Sequence, residues 1–149
     1  RFYGLSGQTL ADRVEATLRE LNMLDIADRR AEGFSRGQRQ KIVLGRALVH
    51  NPRNILLDEP TNGLDVMAVR ETRETIRLFK EQGRCVLFST HYMDEAERLC
   101  DHIAIIVGGK IVVAGSPQAL MQQAGKENLE DAFVALAGGR EGLALSQAE

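Results

Sequence analysis

Residues 54–66 read NILLDEPTNGLDV, a short apolar run that ends in two adjacent carboxylates, Asp58 and Glu59. Pro60 stands directly behind them, and a third acid, Asp65, follows after GL. Paired acids at the end of a buried strand suit a hard divalent cation carried by phosphate, together with a water that must be aligned or deprotonated. The glycine-rich loop that usually grips such a phosphate, GxxxxGKS or GxxxxGKT, occurs nowhere in the 149 residues. The GGK at 108–110 is no substitute: it lacks the upstream glycine and the following hydroxyl residue, and it joins two apolar runs as a hairpin turn would.

Two further stretches offer polar groups of the right kind. FSRGQ at 34–38 puts Ser35, Gly37 and Gln38 at a predicted helix start, where unpaired backbone N–H groups and the helix dipole favour an anion. Ser35 can donate its hydroxyl there, Gly37 allows close backbone approach, and an ordinary N-cap role for Ser35 is compatible with both. Arg36 faces either phosphate or solvent; a charged side chain beside a cap reads first as solvated. STH at 89–91 places His91 just after a second apolar run, RCVLFST. A lone histidine in such a place is usually structural, so its weight comes from its position after the acids.

These groups need a scaffold. Residues 9–31 have helical periodicity, with Leu10, Val14, Leu18 and Leu21 on one face. A second helix follows the Ser35 cap, with Ile42, Val43, Ala47 and Leu48 on one side, and stops at Asn51–Pro52. NILLDEP and RCVLFST read as buried strands, too short for helices. Between them a helix runs from its cap at Asp65 to Gln82, with Val66, Val69, Ile76 and Phe79 inward and Gly83 at its end. MDEAERLC is a short acidic helix, and HIAIIVGGKIVVAG is two strands about a Gly-Gly turn. Pro117 opens another helix, and NLEDAFVALAGG forms the last, with Leu129, Phe133 and Leu136 as its stripe. The final ten residues are expected to fray. Strand–helix–strand alternation implies an α/β fold with a parallel sheet covered by helices, and ligands in such sheets sit at the carboxyl ends of the strands. Asp58, Glu59 and His91 should therefore meet at one edge.

Composition narrows the partners. A formal net charge of −2 argues against a broad nucleic-acid or membrane-surface patch. Cys85 and Cys100 form no CxxC and no ligand-like spacing with His50, His91 or His102, so a structural zinc or a disulfide framework is not expected. No apolar run approaches the roughly 18–20 residues that span a bilayer. The opening RFYGLSG has no methionine and reads as the middle of a longer chain.

FSRGQ, ILLDEP, GLD and STH, in this order and spacing, resemble the nucleotide-binding domain of ABC transporters, from just after its Q-loop to the end of the domain. FSRGQRQ is similar to the signature motif, ILLDEP to Walker B with the catalytic glutamate, GLD to the D-loop and STH to the H-loop. The commonest signature is LSGGQ; Phe34 and Arg36 depart from it. The resemblance implies a partial RecA-like P-loop NTPase core with part of the helical subdomain. It divides the chain into 1–50 (helical subdomain with the signature helix), 51–116 (second half of the core) and 117–149 (C-terminal helices and tail). It implies ATP and Mg2+, with Asp58 holding the metal and Glu59 and His91 as catalytic residues. Ser35, Gly37, Gln38 and Asp65 would act on nucleotide across a head-to-tail dimer with a second ATP-binding subunit.

STHYMDEAERLCDHIAIIVGGKIVVAGSP and NLEDAFVALAGG are most similar to separate ATPase subunits of bacterial ABC-2-type exporters, those of sodium and multidrug efflux in particular. That implies a multi-span permease partner, no nucleic acid, and a peripheral place on the cytoplasmic face of a bacterial membrane. A soluble ABC-type ATPase acting on ribosomes or DNA, and a module that only dimerises or docks, remain open readings.

Overall fold

The computed structural model describes residues 3–138; the expected fraying of the last ten residues, and the first two residues of RFYGLSG, lie outside them. The chain forms two compact units, one up to Ser89 and one from Thr90.

In the first unit, α1 (Gly7–Glu20), α2 (Arg36–Leu48), β1 (Asn54–Leu57), α3 (Val66–Glu81) and β2 (Cys85–Phe88) follow in order, with short 3₁₀ turns at Leu24–Ile26 and Ala31–Gly33. β1 and β2 pair in parallel, Leu57 beside Phe88, with α3 as the crossover between them. The mixed α/β architecture expected from the alternation is present.

α1 is shorter than its periodicity predicts. Asn22 takes a left-handed conformation, φ +52. Its N–H donates to the Arg19 carbonyl, and the Met23 N–H reaches back to Leu18. Those two bonds form a Schellman closure, and asparagine serves where glycine is usual because its short polar side chain tolerates the left-handed region. Met23 is then buried with Leu21 and Ile26, with Leu18 packed against them, while Leu10 and Val14 stay exposed. The apolar residues after Glu20 thus reach the core from turns, not from a continued helix.

The core joins these turns to Phe34, to Leu44 and Leu48 of α2, to Ile55 of β1 and to Phe79 of α3. Leu44 takes the place that periodicity gave to Val43 and Ala47, both exposed. Val66 is 85% exposed, because the first turn of α3 stands clear of the core. Neither strand is buried on both faces. Ile55 is buried, but Leu56 and its cross-strand partner Leu87 are 75% and 66% exposed. Successive strand side chains point to opposite faces, and only one face of this two-stranded sheet is packed.

In the second unit α4 (Met93–Leu99) precedes the antiparallel hairpin β3 (Ile103–Val107) and β4 (Lys110–Gly115), joined at Gly108–Gly109. Both glycines have positive φ, as a two-residue hairpin turn requires. Ser116 caps α5 (Pro117–Ala124), whose Pro117 stands at the first helical position, and Asn128 caps α6 (Leu129–Ala137). Ala96, Ile105, Leu120 and Leu129 form the core, with Phe133 and Leu136 packed against it.

Candidate functional site

The two acids stand where β1 ends. Both are exposed, and one serine ties them together. The parallel register that sets Leu57 beside Phe88 brings Ser89 alongside Asp58 one step further on. The Ser89 N–H donates to the Leu57 carbonyl at 3.0 Å. Its hydroxyl donates to Asp58 Oδ1 at 2.5 Å and accepts the Glu59 N–H at 3.0 Å. Glu59 itself has φ +42, a conformation that costs an ordinary residue on the order of 1–2 kcal/mol. Its carboxylate accepts a 2.6 Å hydrogen bond from Asn62 Nδ2. Pro60 and Thr61, buried beneath, anchor the turn.

Beyond the turn, Gly63 has φ +66 and lies under the Arg36 guanidinium: a Cβ there would stand 2.4 Å from Arg36 Nη2. Arg36 is exposed, as expected, yet it also covers the loop that begins with the acids. One segment thus runs from Asp58 through Glu59, Asn62 and Gly63 to Asp65, whose carboxylate caps α3 by accepting the Ala68 N–H at 2.9 Å.

Ser35 opens α2 with a capping box. Its hydroxyl accepts the Gln38 N–H at 3.1 Å, and the Gln38 side chain accepts the Ser35 N–H at 2.9 Å. The first-turn amides of Arg36 and Gly37 have no intrahelical acceptor, and the Ser35 O–H keeps its donor capacity. A Cβ at Gly37 would lie 2.9 Å from the Ala68 Cβ, so glycine here lets α2 start against the first turn of α3. Ser35, Gly37, Gln38 and Asp65 line one cleft of about 540 Å³, with the Lys41–Glu71 ion pair (2.8 Å) in its wall. The four residues that sequence reading assigned to one binding role are therefore neighbours.

His91 belongs to the second unit. Its ring packs against that of Tyr92, with centroids 4.1 Å apart and the planes tilted by 39°. Behind it, the Thr90 hydroxyl donates to Glu95, which is fully buried, and accepts the Tyr92 N–H. The STH motif singles out His91 in the sequence and assigns no role to Ser89, Thr90 or Glu95. For Ser89 the signal was available: a hydroxyl ending the strand parallel to the acid-bearing one. The buried acid on α4 had no such signal, since MDEAERLC reads as a solvated helix.

Among the described residues no three His, Cys, Asp or Glu side chains gather into a metal cage. Asp58, with one oxygen held by Ser89, fits a metal that takes one or two carboxylates and keeps waters or phosphate oxygens, as Mg2+ does.

Residues 5–62 match the family model described as ABC transporter. The chain is 38% identical over 134 residues to the ABC transporter ATP-binding protein NatA of Bacillus subtilis, covering 90% of this chain and 54% of that protein. It is 36% identical over 121 residues to the Nod factor export ATP-binding protein I of Cupriavidus metallidurans, covering 81% and 40%. A solved structure of an ATP-binding subunit of an ABC transporter superposes with a TM-score of 0.74 at 31% identity, covering 91% of this chain and 57% of that one. The chain spans about half the length of the curated relatives it matches. Both the fold and these matches say that the chain belongs to the ABC transporter ATP-binding domain family.

Proposed function

We propose that this chain is part of the ATP-binding and hydrolysing subunit of an export-type ABC system, of the sodium- or drug-efflux kind. The observation that carries the reading is the acid pair at the end of β1, presented by a left-handed Glu59 and held by Ser89, in a chain so similar to export ATP-binding proteins. In this reading FSRGQ is the signature, ILLDEP Walker B, GLD the D-loop and STH the H-loop.

Asp58 would hold Mg2+ at the nucleotide, through water. The ion, when bound, offsets the charge that develops on the phosphoryl oxygens. Glu59 orients or deprotonates the attacking water, which its exposed position at the strand end allows. His91 contacts the γ-phosphate. On a second subunit's nucleotide, the Ser35 hydroxyl and the amides of Arg36 and Gly37 meet the γ-phosphate at the start of α2. Gln38 keeps that start rigid through the capping box, and Asp65 carries the state of one site towards the other. The chain closes on ATP against a second ATP-binding subunit and drives a multi-span permease at the cytoplasmic face of the membrane. None of its described helices is long and apolar enough to cross the bilayer.

The test is Glu59→Gln in the full-length natural protein. ATP binding should persist while turnover falls by at least about a hundredfold, the lower range for loss of general-base assistance. Turnover equal to that of the unchanged protein would refute the reading. Co-purification from membranes should recover a multi-span protein; ribosomes in its place would favour the soluble ATPase reading.

A further inference from the structure

The Ser89 hydroxyl touches both acid-bearing residues. It donates to Asp58 Oδ1 at 2.5 Å and accepts the Glu59 N–H at 3.0 Å. Its own N–H is fixed to Leu57 at the end of the ladder. The hydroxyl is therefore held through its own backbone on one side, and on the other it orders the Asp58 side chain and the backbone amide of Glu59. Removing it leaves the Asp58 rotamer unset and the N–H of a residue at φ +42 without its acceptor. A backbone turn in so sparsely populated a region persists only where its surroundings fix it.

We propose that Ser89 is a positioning residue for the acid pair: its hydroxyl sets the orientation of Asp58 and pins the turn that presents Glu59. The inference rests on the ATPase reading above and adds a residue to it. Ser89 need not meet the nucleotide. Its effect is to keep the metal-binding carboxylate and the water-binding carboxylate in one fixed relation, and displacements of about 1 Å in such constellations cost on the order of a hundredfold in rate.

The experiment compares Ser89→Ala, Ser89→Thr and Ser89→Cys with the unchanged full-length protein. Turnover, KM, thermal midpoint and the affinity for a fluorescent ATP analogue with and without Mg2+ are measured on each, with Glu59→Gln as a control. For Ser89→Ala, kcat should fall at least about tenfold with KM changed less than about threefold. The gain in nucleotide affinity that Mg2+ confers should shrink, and the affinity without Mg2+ should stay the same. Ser89→Thr, which keeps the hydroxyl, should recover most of both. Ser89→Cys, close in size but a weak donor, should fall between and decides the matter if the alanine variant does not fold.

Ser89→Ala with unchanged kcat and unchanged Mg2+ dependence overturns the inference alone, provided Glu59→Gln is inactive. Equal losses in the alanine and threonine variants, tracking a lowered thermal midpoint, also overturn it, because they indicate packing and not the hydroxyl. An unchanged protein that neither binds nor hydrolyses ATP overturns the ATPase reading, and this inference with it.

Discussion

At the scale of single residues, the strain sits where the chemistry is expected. Glu59 and Gly63 both occupy the left-handed region within one short loop, and only the second is a glycine. An L residue placed at Gly63 would meet two separate costs, the backbone conformation and the Arg36 guanidinium 2.4 Å from its Cβ. Gly63→Ala should therefore lower stability by about 1–3 kcal/mol in urea denaturation. Adding Arg36→Ala should return the steric part and leave the conformational part, so the two changes should be non-additive. Strict additivity would mean that Arg36 does not rest on this loop in solution.

Ser35 allows a sharper separation, because its capping role and its proposed phosphate role call for different chemistry. Ser35→Ala should lose about 1 kcal/mol of stability with the cap. Ser35→Asp keeps a good cap and adds a negative charge where the γ-phosphate is expected. Its thermal midpoint should match the unchanged protein while ATP turnover in the full-length protein collapses. Equal turnover in the aspartate variant would leave Ser35 as a cap and nothing more.

At the scale of elements, the sequence was readable wherever a local rule decided the outcome. The caps at Ser35 and Asp65, the first-turn Pro117 and the Gly108–Gly109 hairpin all form as their residue types dictate. The misreadings have one cause: periodicity shows that residues are apolar, not which element covers them. The stripe through residue 31 is broken at Asn22, because the energetically favourable closure there is a Schellman turn that periodicity cannot register. Leu44, not Val43, enters the core because α1 and β1 define where the packed face of α2 lies. The Ser89 bridge was legible only through strand register, which emerges from pairing and not from composition. The Asn22 closure can be tested directly. Asn22→Gly should hold or raise stability by up to about 1 kcal/mol, since glycine is the least strained residue at that position. Asn22→Val should lower it, because β-branching is incompatible with φ +52. Both are read from the urea midpoint, and an unharmed valine variant would mean that α1 does not end there.

At the scale of the whole chain, one feature sets its behaviour in solution more than the site does. Leu56 and Leu87 lie beside each other on an unpacked face of the two-stranded sheet. Because that face does not contribute to the core around Phe79 and Leu48, its residues should govern association without governing folding. Leu56→Glu with Leu87→Lys places opposite charges across the strand pair, which contributes modestly to pairing and removes the apolar patch. In the 149-residue chain the double variant should lower light scattering at high concentration and leave the urea midpoint within about 0.5 kcal/mol of the parent, as surface changes usually do. Phe79→Ala, by contrast, empties a fully buried site and should cost about 3–5 kcal/mol. If the leucine pair proves as costly as Phe79, the face is packed in solution, and the two exposed strands are part of a larger core.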